Sequence, residues 1–177
     1  MKKIILFLLI SFNGFSQIKY PDTDFNLFEQ KVYWEHIYNI PGKNVDELIN
    51  YFQKEVAQSL SKNNLQIIDN TLSFTVNNDF VDFKKYGGSI FGTATFLRFP
   101  MNYIVIVDFK NEKYKIMIKE INITDISNRS NDVTEYFTQK NKSEFRTTSI
   151  IKTSITYYQK YFSDKFIITN TPTNKDW

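Results

Sequence analysis

Apolar residues change their spacing several times along this chain, and each change marks an element. Over residues 31–40, Val32, Trp34, Tyr38 and Ile40 share one side of an alternating pattern with His36, while Tyr33, Glu35, Ile37 and Asn39 take the other. A period of two is that of a β-strand, and Pro41-Gly42 ends it. The spacing then lengthens to three and four through Val45, Leu48, Ile49, Phe52 and Val56, with Leu60 extending the row. Asp46, Glu47, Asn50, Gln53 and Lys54 occupy the opposite side, the pattern of a helix that rests one apolar face on a support. Asn44 is a good N-cap, and Glu47 three residues later completes a capping box. The helix is expected to end near Asn63-Asn64.

Beyond it the period returns to two. Residues 65–68 and 72–76 are short strand candidates around Asp69-Asn70. Residues 80–84 and 89–97 have the pattern of a hairpin around Lys85-Tyr86-Gly87-Gly88. Residues 103–109 are almost continuously apolar, as in a strand buried on both faces. After a turn at Asn111-Glu112, Tyr114, Ile116 and Ile118 alternate with Lys115, Met117 and Lys119, which predicts a strand with one wet face. Residues 125–143 are polar and Asn-rich, with a short helix expected over 133–139. Helical spacing resumes in Ile151, Ile155, Tyr158 and Phe162, with Phe145 as a candidate extension, although four threonines in this stretch are mediocre helix formers.

The expected order is therefore β-α-β-β-β-β-α. An antiparallel sheet of about five strands needs cover on one face, and the two amphipathic helices supply it. The expected fold is α+β and two-layered, with residues 31–166 as a single domain, 17–30 as a polar lead-in and 167–177 as a C-terminal tail.

The N-terminus changes this picture. Lys2 and Lys3 head an apolar run over residues 4–15 that closes on Gly14-Phe15-Ser16. That is the layout of a secretory signal peptide with a small-x-small cleavage site. The run is too short to span a bilayer, which takes about 20 apolar residues. Cleavage near Ser16/Gln17 and a periplasmic or secreted protein are the expectations. The chain has 22 Lys and Arg against 19 Asp and Glu, and loss of Lys2 and Lys3 leaves 20 against 19. The remaining charges are interleaved and make no basic stripe, so no nucleic-acid partner is expected. The chain has no cysteine, which excludes disulfides, thiolate metal sites, a Cys nucleophile and a lipoprotein anchor. No second apolar segment is present, so no stable membrane anchor is expected. With 17 Phe and 11 Tyr, the core should be rich in rings.

Three stretches resemble a known family. They are the first strand running into Ile40-Pro41-Gly42-Lys43-Asn44-Val45-Asp46-Glu47-Leu48, the segment from Val81-Asp82-Phe83-Lys84 to Gly88-Ser89-Ile90-Phe91-Gly92, and the pair 103–109 and 113–121 around Asn111-Glu112-Lys113-Tyr114. Together they are similar to an exported Bacteroidota family of unknown function with a TATA-binding-protein-like fold. The resemblance spans residues 32–124, with 65–78 as an apparent insertion. It implies a fold and an exported location, and it brings no reaction and no catalytic residues. The fold name does not imply DNA binding, because function resides in sites.

Candidate chemistry is sparse. His36 is the only histidine, too few for a His-based metal site, and no Gly-x-Ser-x-Gly elbow accompanies it. It is expected to be a hydrogen-bonded strand residue at the core edge. Gly87-Gly88-Ser89-Ile90-Phe91-Gly92 lacks the Gly-Lys-Ser/Thr ending of a phosphate loop. Asp79, Asp82, Glu112 and Glu120 stand in no calcium-loop pattern and are expected as solvated surface acids. No cofactor, metal or catalytic residue is assigned. Aromatic residues are the remaining candidates for partner or ligand contact: Trp34 and Tyr38 on the first strand, Tyr157 and Tyr161 off the stripe of the last helix. The expected function is a non-enzymatic exported domain that binds a protein or cell-envelope component. The alternative is a carrier of a small apolar ligand in a pocket between helices and sheet.

Overall fold

One antiparallel sheet carries the molecule. Its strands are β1 (Ile18–Lys19), β2 (Phe25–Phe28), β3 (Lys31–Asn39), β4 (Lys62–Ile68), β5 (Thr71–Asp79), β6 (Met101–Lys110), β7 (Lys113–Thr124) and β8 (Ser130–Asp132). The order across the sheet is β1-β2-β3-β7-β6-β5-β4, and β8 pairs with the far end of β7, beyond the stretch that β3 occupies. The computed structural model describes residues 17–169, so the expected signal peptide and most of the expected tail lie outside the described residues.

Side-chain alternation puts Val32, Trp34 and Tyr38, Tyr114, Ile116 and Ile118, Tyr103, Val105, Val107 and Phe109, and Leu72, Phe74 and Val76 on one buried face. Two helices cover it. The helix α1 (Val45–Tyr51) starts on the expected Asn44–Glu47 capping box and runs into a π-helical turn (Phe52–Val56) and a 3-10 turn (Ala57–Ser59). Phe52 sets its ring against Phe109 and Tyr114. The last helix, α3 (Ser149–Lys165), buries Ile151, Ile155, Tyr158 and Phe162, the stripe read from the sequence. The Phe162 ring lies within 6.4 Å of those of Phe25, Trp34, Tyr103, Tyr158 and Phe166. Between them sits the short α2 (Thr134–Phe137), whose Phe137 ring meets Phe25 and Tyr158.

The α+β architecture stands, but the sheet has eight strands where about five were expected. The lead-in is structured: β1 and β2 form in it, Phe25 and Leu27 are buried, and β2 pairs with β3 through a turn at Glu29-Gln30. Both turn residues are left-handed, at φ 48° and 60°, a conformation that favours Gly and Asn. Residues 80–97 form no hairpin. Val81, Phe83, Ala94, Phe96 and Leu97 are buried from turns and a 3-10 segment (Thr95–Arg98), and their spacing mimics strand alternation. Phe145 is buried but lies on an isolated bridge to Thr138, ahead of α3. The strand expected to be buried on both faces, β6, is buried on one: Ile104 and Ile106 are half-exposed on the other side.

Candidate binding surface

The face of the sheet away from the helices is uncovered, and the register arranges it in rows. Ile37 of β3 stands beside Lys115 of β7, then Asp108 of β6, then Thr71 of β5. The next row is Glu35, Met117, Ile106 and Ser73, and the third includes Lys119, Ile104 and Thr75. Aliphatic side chains thus occupy the centre, with charges interspersed. Ile37 is exposed and the others are half-exposed. Lys115 Nζ lies 3.4 Å from Glu35 and 3.7 Å from Asp108, and Asp108 also accepts a hydrogen bond from the Thr71 hydroxyl at 2.9 Å. Lys115 is thus held between two acids, whereas Lys110 and Lys113 stand opposite each other at the end of this face.

Two shallow grooves flank the centre. One, of about 470 Å³, runs past Ile37, Thr71, Asp108, Lys110, Lys113 and Lys115. The other, of about 600 Å³, is bordered by Phe28, Lys31, Tyr33, Met117, Lys119 and Asp132. In the second, burial pushes the Asp132 carboxyl up, but hydrogen bonds from Lys31 and Thr134 outweigh it and hold the group below its ordinary range. Tyr33 lines the same groove, and its phenol is raised by burial and by the Glu35 charge.

On the covered side the polar groups are internally engaged. Trp34 is buried and donates its indole N–H to Gln159 Oε1 at 2.8 Å. The same oxygen accepts from the Asp24 amide at 2.9 Å, and Gln159 Nε2 donates to Asp24 Oδ2 at 2.7 Å and to Ser163 Oγ at 3.1 Å. His36 Nδ1 lies 2.8 Å from Asp24 Oδ2, with its ring stacked on Trp34. This is the core-edge strand histidine expected of it. Tyr38 is buried and donates to the Ser163 carbonyl at 2.9 Å.

A second knot joins the end of β5 to α3. Asp79 accepts from the Tyr161 hydroxyl at 2.6 Å, the Lys165 ammonium at 2.5 Å and the Tyr103 hydroxyl at 2.6 Å. The Asp79 and Lys165 side chains are only 12% and 18% exposed. Asp79 is therefore a buried pin and not the solvated acid expected. Burial, reinforced by the Asp79 charge, pushes the phenols of Tyr103 and Tyr161 well up.

These placements bear on the four aromatic candidates. Trp34 and Tyr38 lie in the core with their polar atoms satisfied, and Tyr161 is tied to Asp79. Tyr157 is half-buried against Gly88, where a Cβ would stand 3.1 Å from its ring and 2.8 Å from the Phe83 carbonyl oxygen. None of the four lines the uncovered face. Ile37, Ile104, Ile106 and Met117 do, and the signal for them was the lysine alternation of β7, which marks a strand with one wet side. Among the described residues no three His, Asp or Glu side chains gather as a metal site, and no helix is long and apolar enough to cross a membrane.

No protein-family model matches the chain, and no curated protein matches it in sequence. Solved structures do. A TBP-like protein from Parabacteroides distasonis superposes with a TM-score of 0.53 at 13% identity, over 79% of this chain and 93% of that one. A DUF4468 family protein from Bacteroides ovatus gives 0.46 at 14% identity, over 77% and 80%. The first likeness shows the TATA-binding-protein-like fold that the sequence resemblance implied, in a protein from the same phylum.

Proposed function

We propose that this protein is an exported, non-catalytic binding domain whose uncovered sheet face contacts a protein or a component of the cell envelope. One observation carries the reading: the rows centred on Ile37, Ile104, Ile106 and Met117 give the sheet a second apolar stripe that no helix covers. An exposed apolar stripe rimmed by polar and charged side chains is the kind of surface that marks an interaction site. Nucleic acid fits less well, because Lys115 is flanked by Glu35 and Asp108 and Lys110, Lys113 and Lys119 are few cations for a phosphate track. The pocket required of a small-ligand carrier has no support, since the rings around Phe162 and Phe52 fill the space between helices and sheet.

The test is a photo-reactive residue placed in cells at Ile37 or Met117, with Lys152 on the outer side of α3 as control. The expected result is a discrete adduct from the sheet positions and none from Lys152, its mass assigning it to protein or glycolipid. No adduct from either sheet position sinks the reading. Export is tested separately by N-terminal sequencing of the protein recovered outside the cytoplasm, which should begin at Gln17.

A further inference from the structure

The sheet forks along one side of β7. β3 pairs with β7 only from Trp34 onward, while residues 31–33 pair with β2. From Asn122 onward, β7 takes β8 as its neighbour instead. Glu120 lies between these stretches, held left-handed at φ 53° where the register of β7 against β6 slips. The groove of about 600 Å³ occupies this fork, and the Lys31–Asp132 ion pair at 2.7 Å bridges the two prongs. Glu29, left-handed at φ 48°, lines the groove together with Glu120, and backbone strain of this kind clusters at functional sites. The volume lies within the usual range of small-molecule sites, about 300–1,000 Å³.

The lining differs from the covered side in what its polar groups do. The Tyr33 hydroxyl, the Glu29 carboxylate and the Lys119 ammonium have no hydrogen bond or ion pair among the described residues. Phe28 stands beside them, 41% exposed and turned away from the layer that buries Leu27. Three carboxylates, of Glu29, Glu120 and Asp132, and two ammoniums, of Lys31 and Lys119, border the space. A phosphate or other anion would meet the three acids, a cationic amine would meet the two ammoniums, and a hydrocarbon chain would strip water from all five. A neutral saccharide meets none of these penalties. Its hydroxyls donate to carboxylates, which only accept, and accept from ammoniums, which only donate. Its C–H face packs on the negative face of an aromatic ring.

We propose that this fork binds a neutral saccharide, with Tyr33 and Phe28 as the stacking surface and Glu29, Lys119 and Glu120 as the hydrogen-bonding groups. The inference rests on the uncovered face being the contact surface, and it narrows the partner to a glycan.

The test is an array of neutral and anionic oligosaccharides probed with the purified protein. Neutral members should bind and their sulfated or phosphorylated counterparts should not. Tyr33→Ala and Phe28→Ala should each weaken binding by about tenfold with the far-ultraviolet circular dichroism of the parent. Tyr33→Phe, which keeps the ring, should retain most of the affinity, and Lys152→Ala on the outer side of α3 should retain all of it. The same oligosaccharides, free and lipid-linked in phosphatidylcholine vesicles, then separate two sources of one chemistry: equal affinity assigns a soluble glycan, and tighter vesicle binding a glycolipid. Three results would each overturn the inference: an array with no neutral ligand, preference for the anionic members, or binding that survives both alanine variants. A silent array with adducts still forming at Ile37 would remove the glycan and leave the face to a protein; loss of the adducts as well would remove the face.

Discussion

The two faces of this sheet come from the same strands and the same alternation, and they behave as different materials. The covered face is built from rings: Trp34, Tyr38, Phe74, Tyr103, Phe109 and Tyr114, with Phe162 keyed among them. Its polar atoms are bonded inward. The uncovered face is built from unbranched, β-branched and charged side chains whose ion pairs stay partly wet, as with Lys115 at 36% side-chain exposure. The difference teaches that burial of the polar tips, and not the apolar content of a strand, separates the structural face from the available one. Ile106 and Val107 are neighbours of similar character, and only the second is committed to the core.

The sharpest way to break the contrast is alkali. Tyr38, Tyr103, Tyr114, Tyr158 and Tyr161 are all held above the ordinary phenol range, with burial as the main cause. Their contribution to stability is complete below the unfolded phenol pKa of about 10 and is lost as pH rises beyond it, because only the unfolded chain can then ionise them. At pH 11 the loss should approach about 1.4 kcal/mol per phenol, or about 7 kcal/mol in all. Urea unfolding from pH 7 to 11 measures it, and a flat profile would refute it. Phe162→Ala removes the ring at the centre of the covered face and should cost about 3–5 kcal/mol in the same assay.

Two aspartates compare the faces directly. Asp79→Ala strands two phenols and an ammonium on the covered side and should cost about 2–4 kcal/mol. Asp108→Ala on the wet face, where the carboxylate is 42% exposed, should cost less than about 0.5 kcal/mol. Equal effects would mean that the two environments are not distinct. Gly88→Ala drives a methyl into the Phe83 carbonyl and should cost about 1–3 kcal/mol by thermal unfolding. Met117→Thr on the uncovered face should be the mildest for stability, within about 0.5 kcal/mol, while still weakening partner adducts at Ile37.

Much of the covered face was legible because periodicity reports it. The capping box at Asn44 and Glu47, the Ile151–Phe162 stripe and the alternation of residues 114–118 all describe side chains against one common core. The hairpin at Glu29-Gln30 was not legible, because its left-handed turn uses residues without a turn signature and only the surrounding pairing holds them there. Residues 80–97 misled for the opposite reason: their alternation is real but satisfies irregular backbone. The candidate surface was hidden in a similar way. Ile104 and Ile106 look like core residues, and only the register beside Lys119 and Met117 shows that they face outward.

Gln159 has a consequence for when the molecule can form. Its side-chain amide joins Asp24 and Trp34, near the beginning of the fold, to α3 near its end. The centre of the sheet is likewise closed by β3 against β7, elements some eighty residues apart. A ribosome emitting this chain releases its opening hairpin long before the partners that complete it. Contacts of such long sequence separation make folding slow and push it to the end of synthesis. The sheet and its core therefore cannot close until the final helix is free, so the opening hairpin waits on the last element of the fold.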